Sequence, residues 1–124
     1  MTRAAAEAAA AGLTGVLVTP GPDLLYFAGY APIAITERIT MLAIHESRPP
    51  AMIVPGLERP GAESAPGAAA LALRDWADGD DAYAVAAEML DARGRYAVSD
   101  SAWAMHVLAL QQALPESRYV SMTD

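Results

Sequence analysis

Apolar positions in this chain come in short runs broken by proline, glycine and acidic turns, and the runs follow two different periods. The alanine-rich opening, residues 3–11, predicts a helix capped by Thr2 and stopped by Gly12. The run Gly15-Val16-Leu17-Val18, closing at Thr19, is too short for a stable helix and predicts a buried strand. A short helix follows over 22–28. Pro22 can open it because the first helical position needs no N–H donor. Gly29 can close it, since glycine takes the left-handed cap conformation without steric cost. Residues 31–37 predict a loop, as Pro32 disfavours helix at Ala31. Arg38 to His45 predicts a second strand and Ala51 to Val54 a third. Ser47-Arg48-Pro49-Pro50 between them is short enough for an antiparallel hairpin.

Three prolines and three glycines within 55–69 leave room for one or two helical turns near Ala62 to Ala65. Leu71 to Trp76 alternates with period two and predicts a fourth strand. Asp78-Gly79-Asp80-Asp81 predicts a turn and a helix cap, followed by a helix over about 82–92 that points Val85, Met89 and Leu90 inward. Tyr96 to Ser99 predicts a fifth strand. Asp100 or Ser101 is the expected cap of a last helix, in which Trp103, Val107, Leu110 and Leu114 form an apolar stripe. Pro115 ends it, and Arg118 to Ser121 predicts a sixth strand. Alternating helices and strands with one hairpin imply an α/β fold around a mixed sheet, as one domain over 1–124.

Composition narrows the function more than the fold. There is no cysteine, which excludes disulfides and thiolate chemistry, and no lysine, which excludes a Schiff-base or P-loop lysine. A net charge of −7 argues against a duplex nucleic-acid partner, which needs a basic stripe. No apolar run approaches the roughly 20 residues of a membrane span. The amino terminus lacks the apolar centre of a signal peptide, so a cytoplasmic protein is expected.

The segment Tyr26-Phe27-Ala28-Gly29-Tyr30, placed after a strand and a turn, resembles the opening of the amino-terminal domain of the creatinase/prolidase metallopeptidases. The resemblance implies a six-stranded mixed sheet with helices on its faces, ribonuclease-H-like in outline, which agrees with the order of elements read above. It also implies that the chain is a non-catalytic amino-terminal domain. Chemistry would belong to a second, pita-bread domain, where two Asp, one His and two Glu hold a pair of divalent metal ions. No residue here matches that set, so no catalytic residue, metal ligand or cofactor is assigned to 1–124. The implied function is to shape the active site of a Xaa-Pro dipeptidase or aminopeptidase and to support oligomerisation. The implied partners are the catalytic domain of the same polypeptide, a second subunit in a homodimer, and a peptide substrate. A creatinase-type amidinohydrolase shares the same plan. A free-standing α/β binding or dimerisation module is the reading outside the family.

Two positions carry a functional expectation from the resemblance. In oligomeric members an arginine and an aromatic of this region reach toward the partner's active site, and here they are Arg38 and Tyr30. A guanidinium at a strand edge can pair bidentately with a substrate carboxylate. The competing readings are surface pairing of Arg38 with Glu37 or Glu46, and packing of Tyr30 after the helix cap. Other tempting residues read as structural. His45 and His106 are far apart and lack a third ligand, with His106 expected at or near the surface. The Asp75 to Asp81 cluster lacks a calcium loop's terminal glutamate. Asp23, Ser99 and Asp100 come without a nucleophile elbow. Thr19-Pro20-Gly21-Pro22 loses two anion-binding donors to its prolines.

Overall fold

The computed structural model describes residues 1–32 and 39–123. Helix α1 (Thr2–Ala10) leads into strand β1 (Gly15–Val18) and helix α2 (Pro22–Ala28). Strands β2 (Met41–His45) and β3 (Ala51–Pro55) follow, then the short helix α3 (Arg59–Glu63) between two 3-10 turns, and strand β4 (Ala72–Trp76). Helix α4 (Ala82–Ala87), strand β5 (Arg95–Val98), helix α5 (Ala104–Ala113) and strand β6 (Arg118–Ser121) complete the order.

The six strands form one sheet in the order β4-β3-β2-β1-β5-β6. β2 runs antiparallel to both β1 and β3, while β3–β4, β1–β5 and β5–β6 are parallel pairs. Five strands therefore end at one edge of the sheet, where β2 begins. Burial on both faces explains why β1 and β2 read as continuous apolar runs rather than alternating ones. One layer packs α1 and α2 on Val16, Val18, Leu42, Ile44, Met52 and Val54. The other packs α4 and α5 on Leu17, Met41, Ala43, Ile53, Tyr96 and Val98.

The local signals were followed most closely around α2. Gly29 closes that helix at φ 68°, and an added Cβ there would lie 2.9 Å from Pro66 Cδ. Asp81 caps α4 by accepting from the amides of Tyr83 and Ala84. Gly15 is needed for a different reason: its Cβ would stand 2.3 Å from the Ile44 carbonyl oxygen across the β1–β2 ladder.

Four expectations change. Thr2 lies inside α1, with Met1 at the cap and no side-chain capping bond. The helix expected to reach residue 92 stops at Ala87; i→i+3 bonds then carry the chain through Glu88, Met89 and Leu90 into the turn, keeping Met89 and Leu90 buried. α5 is capped by neither Asp100 nor Ser101, for the Asp100 carboxylate is taken by the Ser121 hydroxyl and the helix begins only after Trp103. That late start leaves Trp103 46% exposed and turns His106 inward. The second strand begins at Met41, and Arg38 lies outside the described residues.

Candidate functional site

The edge where β1, β3, β4, β5 and β6 end gathers the loops that could meet a ligand or partner. Open α/β sheets place ligands outside the carboxyl ends of their strands, where successive connections leave for opposite faces. β1 and β5 are such a pair here: the chain leaves β1 for α2 on one layer and β5 for α5 on the other. Their loops are stitched together, with the Thr19 amide donating to Ser99 Oγ at 3.1 Å. A Cβ on Gly21 would lie 3.6 Å from Ser101 Oγ. Ser121 ties Asp100 to the end of β6, and its hydroxyl, followed by that of Thr123, holds the Asp100 carboxyl below the usual carboxylate range. The hydroxyls of Thr19 and Thr40 are buried at this edge without a hydrogen-bond partner.

Tyr30 sits beside it. The residue is 7% exposed, and its hydroxyl points to Glu58 Oε1 at 3.5 Å, on the turn that follows β3. Burial raises the Tyr30 phenol above its ordinary value and the neighbouring Glu58 charge raises it further, so it stays protonated. Its ring, with Pro32, Leu57, Glu58 and Pro66, walls a cleft of about 460 Å³. Tyr30 is thus a cleft wall tied to Glu58. Leu57, 82% exposed at the same cleft, was not singled out by the sequence, where nothing separated it from the other apolar residues of a proline-broken stretch.

The histidines are enclosed and far from this cleft. His45, at the end of β2 opposite the carboxyl edge, is 5% exposed, and its Nε2 lies 3.0 Å from the Tyr96 hydroxyl. That hydroxyl already accepts the Asp91 amide at 2.8 Å. Donating its own proton to Nε2 places the imidazole proton on Nδ1, an assignment made from the hydrogen-bond pattern. Burial lowers the His45 pKa, Arg48 lowers it further and Asp91 partly offsets both, which favours the neutral ring. His106 pairs through Nδ1 with the Tyr83 hydroxyl at 2.7 Å, joining α5 to α4. Asp80 accepts the Ala77 amide and Asp81 caps α4, so both acidic residues act in the turn. Among the described residues no three His, Cys, Asp or Glu side chains converge on a point. They do not fit a pair of divalent ions. No helix among them is long and apolar enough to cross a membrane.

The whole chain, residues 1–124, matches the Creatinase/Prolidase N-terminal domain family. The chain belongs to that family. The probable dipeptidase PepE of Mycobacterium tuberculosis is 42% identical over 114 residues, covering 90% of this chain but 30% of the relative. The solved dipeptidase PepE of Mycobacterium ulcerans superposes with a TM-score of 0.87 at 38% identity, covering 99% of this chain and 33% of that one. The chain therefore spans about a third of the length of these relatives. A creatinase/prolidase N-terminal domain of an X-Pro dipeptidase from Streptococcus pyogenes shares the fold at a TM-score of 0.84 and 15% identity, and 92% of that solved chain is covered. A creatinase/prolidase N-terminal domain is thus a six-stranded mixed sheet between helical layers, as the order of elements in this sequence implied.

Proposed function

We propose that this chain is the non-catalytic amino-terminal lobe of a Xaa-Pro dipeptidase, working in the cytoplasm and joined to a second domain that holds two divalent metal ions and hydrolyses the peptide. The 42% identity with a probable dipeptidase along nearly the whole chain carries this reading. The absence of converging ligands among the described residues is compatible with it. The lobe's task is steric and electrostatic. Its carboxyl edge and the Tyr30–Leu57–Pro66 cleft would wall the space in which a short peptide lies, and Arg38 would receive the peptide carboxylate. Oligomerisation would bring that edge toward a partner's active site.

The test has two arms. The purified chain, with manganese, cobalt or zinc added, is expected to release nothing from Xaa-Pro dipeptides; metal-dependent turnover by this chain alone would refute the accessory role. In the two-domain parent, Arg38→Ala is expected to lower kcat/KM for dipeptides roughly ten- to a hundredfold, the loss of one charge-assisted bond of about 1.5–3 kcal/mol. Unchanged kcat/KM would remove Arg38 from the substrate site.

A further inference from the structure

We propose that the cleft walled by Tyr30, Leu57 and Glu58 is a subsite for the free amino end of a peptide, with the α-ammonium on the Glu58 carboxylate and an aliphatic first side chain against Leu57, Pro32 and Pro66. The peptide itself comes from the peptidase reading above, on which this subsite rests; its binding is measurable without that reading.

The walls of the cleft are pinned by the fold. The Gly67 amide donates to the Ala28 carbonyl at 2.9 Å, which holds the stretch after α3 against the end of α2. Gly29 packs so closely on Pro66 that an added Cβ would stand 2.9 Å from its Cδ. On the other side the turn Gly56–Glu58 follows directly from β3, whose Val54 is fully buried. At about 460 Å³ the space falls in the lower part of the range of small-molecule sites, which suits the end of a peptide.

The lining selects the ligand. Ala31, Pro32, Leu57, Ala65 and Pro66 offer carbon, and the Ser64 hydroxyl is already given to the Gly61 carbonyl. Among the described residues that line the cleft, Glu58 is the one acid and there is no base. An anion would meet repulsion there, and a neutral ligand would forgo a charge-assisted bond, the strongest contact on offer. The Tyr30 hydroxyl reaches Glu58 Oε1 only at 3.5 Å, and a carboxylate has about four acceptor positions. An ammonium can therefore share Glu58 with the phenol. Leu57 is left 82% in water, so an aliphatic chain laid over it gains the most from contact. An ammonium with a branched carbon chain beside it describes an amino-terminal residue such as leucine. A lysine side chain has the charge but no branch next to it.

Leucinamide carries that ammonium and that side chain without a carboxylate, and it is the probe. Titrated into the isotopically labelled chain, it should shift the amide resonances of Leu57, Glu58, Gly61 and Ser64, with the millimolar dissociation constant of so small a ligand. N-acetyl-leucinamide, which lacks the charge, should bind at least about tenfold more weakly, and Nα-acetyl-lysinamide severalfold more weakly. Glu58→Gln should cost about tenfold in leucinamide affinity. Leu57→Ala should cost severalfold with the thermal midpoint unchanged, since that side chain already stands in water. Unshifted amides in tens of millimolar leucinamide, equal binding of either acetylated probe, or an unaffected Glu58→Gln chain would each overturn the subsite. In the two-domain parent, Glu58→Gln should raise KM for Leu-Pro about tenfold with kcat held, the mark of a lost binding contact. An unchanged KM in an active parent also overturns the subsite, whereas an inactive parent with leucinamide binding intact refutes the peptidase reading alone.

Discussion

Tyr96→Phe tests a polar contact buried in the core. The Tyr96 side chain is fully enclosed, and its hydroxyl serves two groups from different elements: Nε2 of His45 at 3.0 Å and the amide of Asp91 at 2.8 Å. Phenylalanine keeps the ring, its edge contact with His45 and its stacking on Tyr119, so cavity and packing terms nearly cancel. What changes is that two polar groups lose their partner. A buried unsatisfied group costs about 1–3 kcal/mol. His45 sits in the core and falls in the upper part of that range, while the Asp91 amide lies in a turn where water can replace the lost bond. The sum is about 2–4 kcal/mol, a large share of the roughly 6–15 kcal/mol available to a domain of this size. At about 4 °C per kcal/mol, Tm should fall by about 8–15 °C. Urea unfolding followed by the fluorescence of Trp76 and Trp103 would measure it, with an unchanged m-value as the sign that the native state is otherwise intact. A loss below about 0.5 kcal/mol would refute the claim that this hydroxyl satisfies both groups.

Acid stability follows from the same site. His45 has a folded pKa below its unfolded value of about 6.5, so in the window between the two the unfolded chain binds the extra proton. Stability is then complete above about pH 6.5, falls as pH drops through the folded pKa, and levels off below it. Urea midpoints compared at pH 7.5 and about 5 should show the fall, and His45→Gln should reduce that difference; an identical pH dependence in the variant would exclude His45 as its cause. Gly29→Ala places a side chain at φ 68° within 2.9 Å of Pro66, and should cost about 1–3 kcal/mol in the same assay. Asp81→Ala removes the cap shared by two amides of α4, and a loss of about 1 kcal/mol is expected, with Asp81→Asn retaining most of the stability. In Glu58→Gln the Tyr30 phenol should ionise at lower pH than in the parent chain, as read by ultraviolet absorbance, since the Glu58 charge contributes to its upward shift; no change would mean that burial alone holds it.

The elements legible in the sequence were those whose boundaries are set by neighbours in the chain. Pro22 and Gly29 delimit α2 through the missing donor of one and the left-handed conformation of the other. The hairpin of β2 and β3 needed only a short connection between apolar runs. The misread positions depend on contacts distant in sequence. His106 looked peripheral because the stripe was phased from Trp103, yet α5 starts after Trp103 and its inward face is chosen by α4, where Tyr83 waits. Tyr30 carried two readings in the sequence, a residue reaching toward a partner's active site and one packed after the helix cap. The bond of its hydroxyl to Glu58, 28 residues later on the turn after β3, was not legible there. The pairing of His45 with Tyr96 spans 51 residues and leaves no periodic trace in the chain.

The central parallel pair has a consequence for synthesis. β1 is finished early, but its second neighbour, β5, arrives much later; the bond that locks their ends joins residues 80 apart. A nascent chain that has emerged only through β4 can already build the β4-β3-β2-β1 half of the sheet, and in that half β1 presents a bare, apolar border. Such borders recruit other strands. Ribosomal pausing, or a truncation anywhere between Ala77 and Gly94, should therefore yield aggregated material; fragments that reach Ser99 only move the bare border to β5, and the flank closes once β6 is present.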